Sequence, residues 1–479
     1  MSLAKLPTEI DSNIASFLAG DTKTLSAFSK TSKYYRTVAE RFLYCQLSFP
    51  NTGDIQIKRL LMTLLDRREL TEHIRTVETF ELPDVQRHGN EGEAATADRT
   101  TCEARLASYA EGVQKLLHDI TALFTKTSSE HFEYLCSRRI SYFSDSVDGA
   151  LALVLALAVN AEVVDIQPNE LDPFFITPNV LALTRRDLYI NRPLSSPSRL
   201  SKLCITGGPS MSAIDMLVPP SVRLLRLLCC RIGNLIYNGS SSSQLEVLEL
   251  EWSKIQAVEL SNFLTESRCE NLRELLLDNM RDIGGFGFTP HRLIETLELI
   301  APKLEVLKIM DVMATSEWLA PIGNLKNLRK LHTLALSIDR LIFADGAQDT
   351  QPIDPFTILP PRLRNLELIM MSNSRLNKYF EDPDANALIP SGSQFIVDTL
   401  KNFPLRTLLL ETLVGGTPQQ LPANASEGTL TGLQALADLV FSKGIVLEAC
   451  VHNFNGFKKS AYRIIPATCP IGDAPSTGV

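Results

Sequence analysis

From about residue 200 onward the apolar residues return in one fixed phrase. An aliphatic residue is followed by two variable positions, a second aliphatic residue, one variable position and a third aliphatic residue. It stands at Leu200-x-x-Leu203-x-Ile205, Val222-x-x-Leu225-x-Leu227, Leu245-x-x-Leu248-x-Leu250 and Leu272-x-x-Leu275-x-Leu277. It returns at Leu304-x-x-Leu307-x-Ile309, Leu331-x-x-Leu334-x-Leu336, Leu363-x-x-Leu366-x-Leu368 and Leu405-x-x-Leu408-x-Leu410. Ala161-x-x-Val164-x-Ile166 reads as an earlier, degenerate copy. The alternation at the end of each phrase is the period of a strand with one inward and one outward side. A single strand of this length cannot bury its apolar side, so successive copies must stack into a shared core. Starting positions are separated by 22, 23, 27, 32, 27, 32 and 42 residues, which predicts loops or longer helices inserted between some copies. Apolar residues at helical spacing lie between the phrases: Ala257, Leu260, Phe263 and Leu264; Leu293, Ile294 and Leu297; Phe395, Thr399 and Leu400; Leu433, Leu436 and Val440. Strand alternating with helix predicts an α/β architecture, parallel strands inside and helices outside. An ordinary α/β domain with Leu-rich strands is the alternative.

The chain opens differently. Leu6, Ile10, Ile14, Phe17 and Leu18 fall on one helical face behind Pro7, whose fixed φ suits a helix start. Gly20 closes that stretch, and Asp21 is placed to cap a second one with Leu25, Phe28, Tyr35, Val38 and Phe42 as its stripe. Two or three short helices are therefore expected in the first 45 residues. A unit this small buries little surface and needs a neighbour. That neighbour is either its own second domain or another chain.

Leu6-Pro7-x-Glu9-Ile10, Ile14, Phe17-Leu18, Asp21, Leu25, Ser29-Lys30 and Tyr35-Arg36 together resemble the F-box motif, over about residues 4 to 45. Many F-boxes carry Trp before the Arg of the last helix; here it is Tyr35. The stretch from Leu60 to Glu81, with His73-Ile74-Arg75-Thr76-Val77-Glu78, resembles the helix and first repeat strand of fungal F-box proteins. The later phrases resemble leucine-rich repeats. The resemblance implies a non-catalytic substrate receptor of an SCF (Skp–cullin–F-box) ubiquitin ligase. Leu6, Pro7, Ile10, Ile14, Leu18, Leu25 and Phe28 would contact the Skp adaptor, and the repeats would hold a protein target for ubiquitination. The other reading is a repeat scaffold without a ubiquitin role, its first helices serving as an end cap.

The boundaries that follow are an F-box helical module over 1–48 and a helical linker with degenerate first repeats over 49–160. A repeat solenoid then covers 161–462 and a flexible tail 463–479. Residues 86–101, polar and rich in Gly, Glu, Ala and Thr, are expected to form a mobile insertion. Leu106 to Phe124 has the pattern of an amphipathic helix, and Ala150 to Val159 that of a buried one, too short to span a bilayer.

Composition narrows the function. With 47 Lys and Arg against 55 Asp and Glu, the net charge of −8 argues against nucleic-acid and anionic-membrane partners. Nine cysteines form no CxxC pair, so reduced thiols and a reducing compartment are expected. Lys5 is followed by Pro7, Glu9 and Asp11, not by an apolar run, so no signal peptide is read and the cytosol or nucleus is expected. None of the seven histidines stands in a metal-binding spacing, and neither a phosphate-binding glycine loop nor a GxSxG elbow occurs. No catalytic residue, metal or cofactor is expected. In the repeat type that the phrases resemble, the residue inside each final pair and the one after it face a target. Those positions give Glu249, Glu251, Asp278, Lys308, Glu367 and Glu411 as target-binding candidates, suited to a ligand with basic and hydrophobic residues.

Overall fold

The computed structural model describes residues 7–50, 54–80, 147–167, 199–207, 214–237, 242–255, 257–278, 290–310, 322–337, 355–370, 399, 403–414, 442, 446–453 and 458–463. The expected insertion at 86–101, the helices at 106–124 and 433–440, and the tail past Arg463 lie outside the described residues; Arg463, where the tail is expected to begin, still belongs to a strand. The chain divides into two compact units, Met1–Leu245 and Glu246–Val479.

The first unit begins with three short helices, α1 (Thr8–Phe17), α2 (Thr22–Ser29) and α3 (Lys33–Leu43). Pro7 occupies the capping position of α1 with extended ψ and leaves no side chain to cap it. Asp21 caps α2: its carboxylate accepts from the Lys23 and Thr24 amides at 3.1 Å and from the Thr24 hydroxyl at 2.6 Å. Thr24 thus closes onto the cap from the position where a capping box has a carboxylate. The stripe from Leu25 to Phe42 is not one helix. It breaks at residues 30–32, where the Ser32 hydroxyl accepts from the Tyr35 amide at 3.1 Å and starts α3. Ala15, Leu25, Val38 and Ala39 form the buried centre, with Leu18, Phe28, Phe42 and Leu43 packed around it.

The sheet of this unit starts directly after α3, earlier than the boundary at residue 48 expected from the sequence. β1 (Gln46–Pro50), β2 (Thr76–Phe80), β3 (Val163–Ile166), β4 (Lys202–Thr206) and β6 (Leu224–Leu228) pair in parallel, in that order. β5 (Ile214–Val218) and β7 (Ile232–Tyr237) form a separate parallel pair. Ile74-x-x-Val77-x-Thr79 fills the same register as the later phrases. Its third position is a buried hydroxyl, which is satisfied twice. Thr79 Oγ1 donates to the Gln167 carbonyl at 2.9 Å and accepts from the Gln167 amide at 2.7 Å. α4 (Asp54–Asp66) packs on α5 (Val147–Leu157). The described side chains of α5 are buried on every side, as its unbroken apolar run requires. Gly207 is needed where it stands. Its amide donates to the Leu228 carbonyl at 2.6 Å, and a Cβ there would collide with the Cys229 carbonyl.

In the second unit β8 (Val247–Glu251), β9 (Glu274–Asp278), β10 (Val306–Met310), β11 (Thr333–Ser337), β12 (Asn365–Met370), β13 (Thr407–Val414) and β14 (Val446–Asn453) run parallel. The antiparallel β15 (Lys458–Arg463) follows at the edge. Helices α6 (Ala257–Glu266) and α7 (Pro290–Ile300) fill two of the connections, and a short α8 (Pro355–Ile358) precedes β12. The helical patterns read at 257–264 and 293–297 are these first two. Of the 395–400 pattern only Thr399 is described, buried and helical.

Every phrase of the sequence supplies a strand, and the phrases align without slippage. Leu248, Leu275, Leu307, Leu334, Leu366 and Leu408 stand in one hydrogen-bonded row. No described aliphatic residue of the phrases is more than 6% exposed. At about 25 cal/mol per Å² of apolar surface removed from water, burial of this continuous row favours the folded state. The protein is thus α/β, a parallel sheet built copy by copy with helices between copies. Among the described residues no helix is long and apolar enough to cross a membrane.

Candidate functional site

Two surfaces emerge from this frame. The first is the outer face of α1. Ile10 and Ile14 are 43% and 37% exposed and Phe17 is 89% exposed, one helical turn apart from each other. Pro7 is exposed at the head of the same face, and Leu18 and Phe28 are half-buried. Leu6 lies outside the described residues. Leu25 does not belong to this surface: it is fully buried between α2 and α3 and holds the unit together. Its position on the same sequence stripe concealed this, because the helices turn relative to one another at residues 18–21 and 30–32. Phe17, the most exposed large apolar residue here, joins the surface in its place.

The face is held from behind by polar contacts. Tyr34 on α3 donates its hydroxyl to Asp11 on α1 at 2.9 Å, and Asp11 is only 2% exposed. The Tyr35 ring packs tilted against Phe28, centroids 4.6 Å apart, and meets Tyr34 edge-on at 5.2 Å. Its buried hydroxyl finds no partner among the described residues. At the other end, Arg67 grips Glu40 of α3 with two nitrogens, Nη1 at 2.5 Å and Nη2 at 2.9 Å. Arg67 Nε reaches Glu69 at 2.9 Å. These hydrogen bonds, Glu40 first, raise the Arg67 pKa above its ordinary value. The helical unit is therefore tied to the turn that leads into β2.

The second surface is the outward side of the second unit's strands. Glu249, Leu276, Lys308, Ala335, Glu367 and Leu409 form one row across the sheet. Glu251 and Asp278 are paired in the next row, as are Ile369 and Glu411. The expected alternation is therefore present, but the charges are not equivalent. Lys308 Nζ donates to Glu367 Oε2 at 3.1 Å across the short side chain of Ala335, which the bridge covers. Glu367 is only 8% exposed. This pair is thus closed on itself within the sheet. Glu249, Glu251 and Asp278 are half-buried beside one another, and all three have interactions within the protein. Sequence spacing placed these residues in rows but could not show that two strands separated by an alanine would be bridged.

Chemistry is otherwise sparse. Cys45, Cys204, Cys229, Cys230 and Cys269 are free thiols. Burial pushes Cys230 up to about 12 and Cys269 up to about 11, so neither is a thiolate at neutral pH. Among the described residues no three His, Cys, Asp or Glu side chains converge as a metal site would require. His291 lies 3.3 Å from Glu295, one helical turn away, and His332 lies 3.8 Å from Glu305, both as surface pairs. No family model matches the chain, and no curated protein shows significant similarity to it.

Proposed function

We propose that this protein is the substrate-recognition subunit of an SCF ubiquitin ligase, working in the cytosol or nucleus. Its N-terminal helices would act as an F-box that docks the Skp adaptor, and its leucine-rich-repeat solenoid would capture a protein target. The observation that carries the reading is the exposed apolar face of α1. An end cap places a polar face outward and its apolar face inward. In α1, Ile10, Ile14 and Phe17 face solvent while Ala15 alone of its apolar residues is fully buried. Such a face lowers its free energy by burial against a partner. Its residues belong to the ordered set that resembles the F-box motif. The receptor itself performs no bond chemistry in this reading. It holds target and ligase together, so that ubiquitin transfer becomes an encounter at high effective concentration.

The experiment is capture of purified Skp adaptor on the immobilised chain, comparing wild type with Ile10→Ser plus Phe17→Ser. Both side chains are solvent-facing, so the double variant keeps its helices. Capture by wild type and its loss in the variant is the expected result. Absence of capture by wild type would leave a repeat scaffold with no ubiquitin role.

A further inference from the structure

The second unit carries a concentration of unpaired positive charge on one margin. Where β11, β12 and β13 begin, the backbone places His332, Arg364 and Arg406 side by side. The Arg364 amide donates to the His332 carbonyl at 2.9 Å, and the Arg406 amide to the Arg364 carbonyl at 2.6 Å. Arg362 lies two residues before Arg364, and Lys330 precedes Leu331 as Arg362 precedes Leu363, with Arg329 beside it. Arg329, Lys330, Arg362, Arg364 and Arg406 are all exposed, and no acidic side chain among the described residues pairs with any of them. The nearest carboxylate in this row is Glu305, already shared between Arg273 at 3.9 Å and His332 at 3.8 Å.

Neighbouring parallel strands are about 4.8 Å apart. Like charges on adjacent strands at that spacing repel, and such pairs are destabilising in a sheet. Five basic groups gather here although the net charge of the chain is −8. Elsewhere in the same unit basic groups have partners: Lys308 holds Glu367, and Lys303 donates to Asn271 at 2.7 Å. At the margin five such groups lie close together, with no carboxylate among the described residues bridging to any of them. The strands next to it offer neutral hydrogen-bonding groups. Asn365 Nδ2 donates to Thr333 Oγ1, and Thr407 Oγ1 to Asn365 Oδ1, both at 2.9 Å.

We infer that this margin is a docking site for an acidic, extended segment of a partner protein. Three strands span about 10 Å, the length of roughly three residues of extended peptide at about 3.3 Å each. The carboxylates of such a segment and its flanks would meet the five basic groups, which act as a cluster where isolated exposed pairs are weak. A long nucleic acid fits less well. Continuing along the same margin it would meet Glu305 and Glu246 on either side of Arg273, where its phosphates are repelled. The inference stands apart from the adaptor reading, because it concerns a different surface and a different unit.

The test is fluorescence anisotropy of a labelled Asp-rich peptide with the full-length chain, beside the same peptide with Asn for Asp. The expected result is saturable binding of the acidic peptide that weakens with added salt, and none of the neutral one. Arg364→Glu plus Arg406→Glu should weaken it by about tenfold or more. Lys23→Glu plus Lys33→Glu on the helical unit makes the same change in net charge and should leave it intact. Equal binding by the margin variant and wild type, or no binding of the acidic peptide, would overturn the proposal. So would a single-stranded RNA oligonucleotide that binds the margin more tightly than the peptide does.

Discussion

The outer face of α1 and the strand rows of the second unit are built from the same kind of residue at regular spacing, with opposite fates. Leu275, Leu307, Leu334 and Leu366 are at most 1% exposed, each covered by the neighbouring copies. Ile10, Ile14 and Phe17 have no such neighbour and stand 37% to 89% exposed. The repeat phrase supplies its own partner, because each copy is followed by another. The single helix does not. The stripe that recurs in register is buried by its own copies, whereas that of α1 is left facing solvent.

Substitutions can separate the two roles. The largest effect should come from Leu307→Ala in the middle of the row, which leaves a cavity closed on both sides; a loss of about 3–5 kcal/mol in urea unfolding is expected. Leu25→Ala, in the smaller core of the helices, should cost about 2–4 kcal/mol and weaken adaptor capture through loss of the helical unit. Ile10→Ser plus Phe17→Ser should leave the unfolding midpoint in place and reduce capture alone. If Leu25→Ala and the double variant behaved alike, the distinction between core and surface in these helices would fail. Glu40→Gln removes the charged partner of Arg67 at a site where Glu40 is buried and Arg67 part-exposed; about 1–2 kcal/mol of stability should be lost, read as a lower melting temperature.

The smallest effect is expected at the α2 cap. The Thr24 hydroxyl, ahead of the two backbone amides, holds the Asp21 carboxyl below its ordinary range. Its folded pKa lies below the unfolded one, so its contribution is fully present above the ordinary value of 3.8 and is lost as pH falls through the depressed one. Asp21→Asn can still cap but does not titrate. Its melting temperature should fall less than that of wild type on acidification below about pH 4.

The strands read from the phrases were legible because three apolar residues at fixed offsets leave few alternatives to a stacked strand. β1 and β14 were not. Tyr44, Leu47 and Phe49 follow α3 without a break, so the phrase merged with the helical stripe. In β14 the register position opposite Leu410 is Ala449, too small to signal a core slot. The β5–β7 pair has no phrase at all. At the helical end, amphipathic spacing identified which residues are apolar on one side, yet Leu25 and Phe17 exchanged roles. Which side of a short helix faces its neighbours depends on the turns between helices, and periodicity does not encode those. The charged rows were legible as rows. The Lys308–Glu367 bridge, and the unpaired Arg364 and Arg406 beside it, depend on which strands become neighbours.

The central claim concerns the face of α1, and calorimetric titration of the chain with Skp adaptor tests it most directly. Wild type should bind with a negative heat-capacity change, the mark of apolar surface leaving water. Ile10→Ser plus Phe17→Ser should bind about tenfold more weakly or worse, with an unchanged melting temperature. Wild type that fails to bind, or a double variant that binds as tightly as wild type, would contradict the claim.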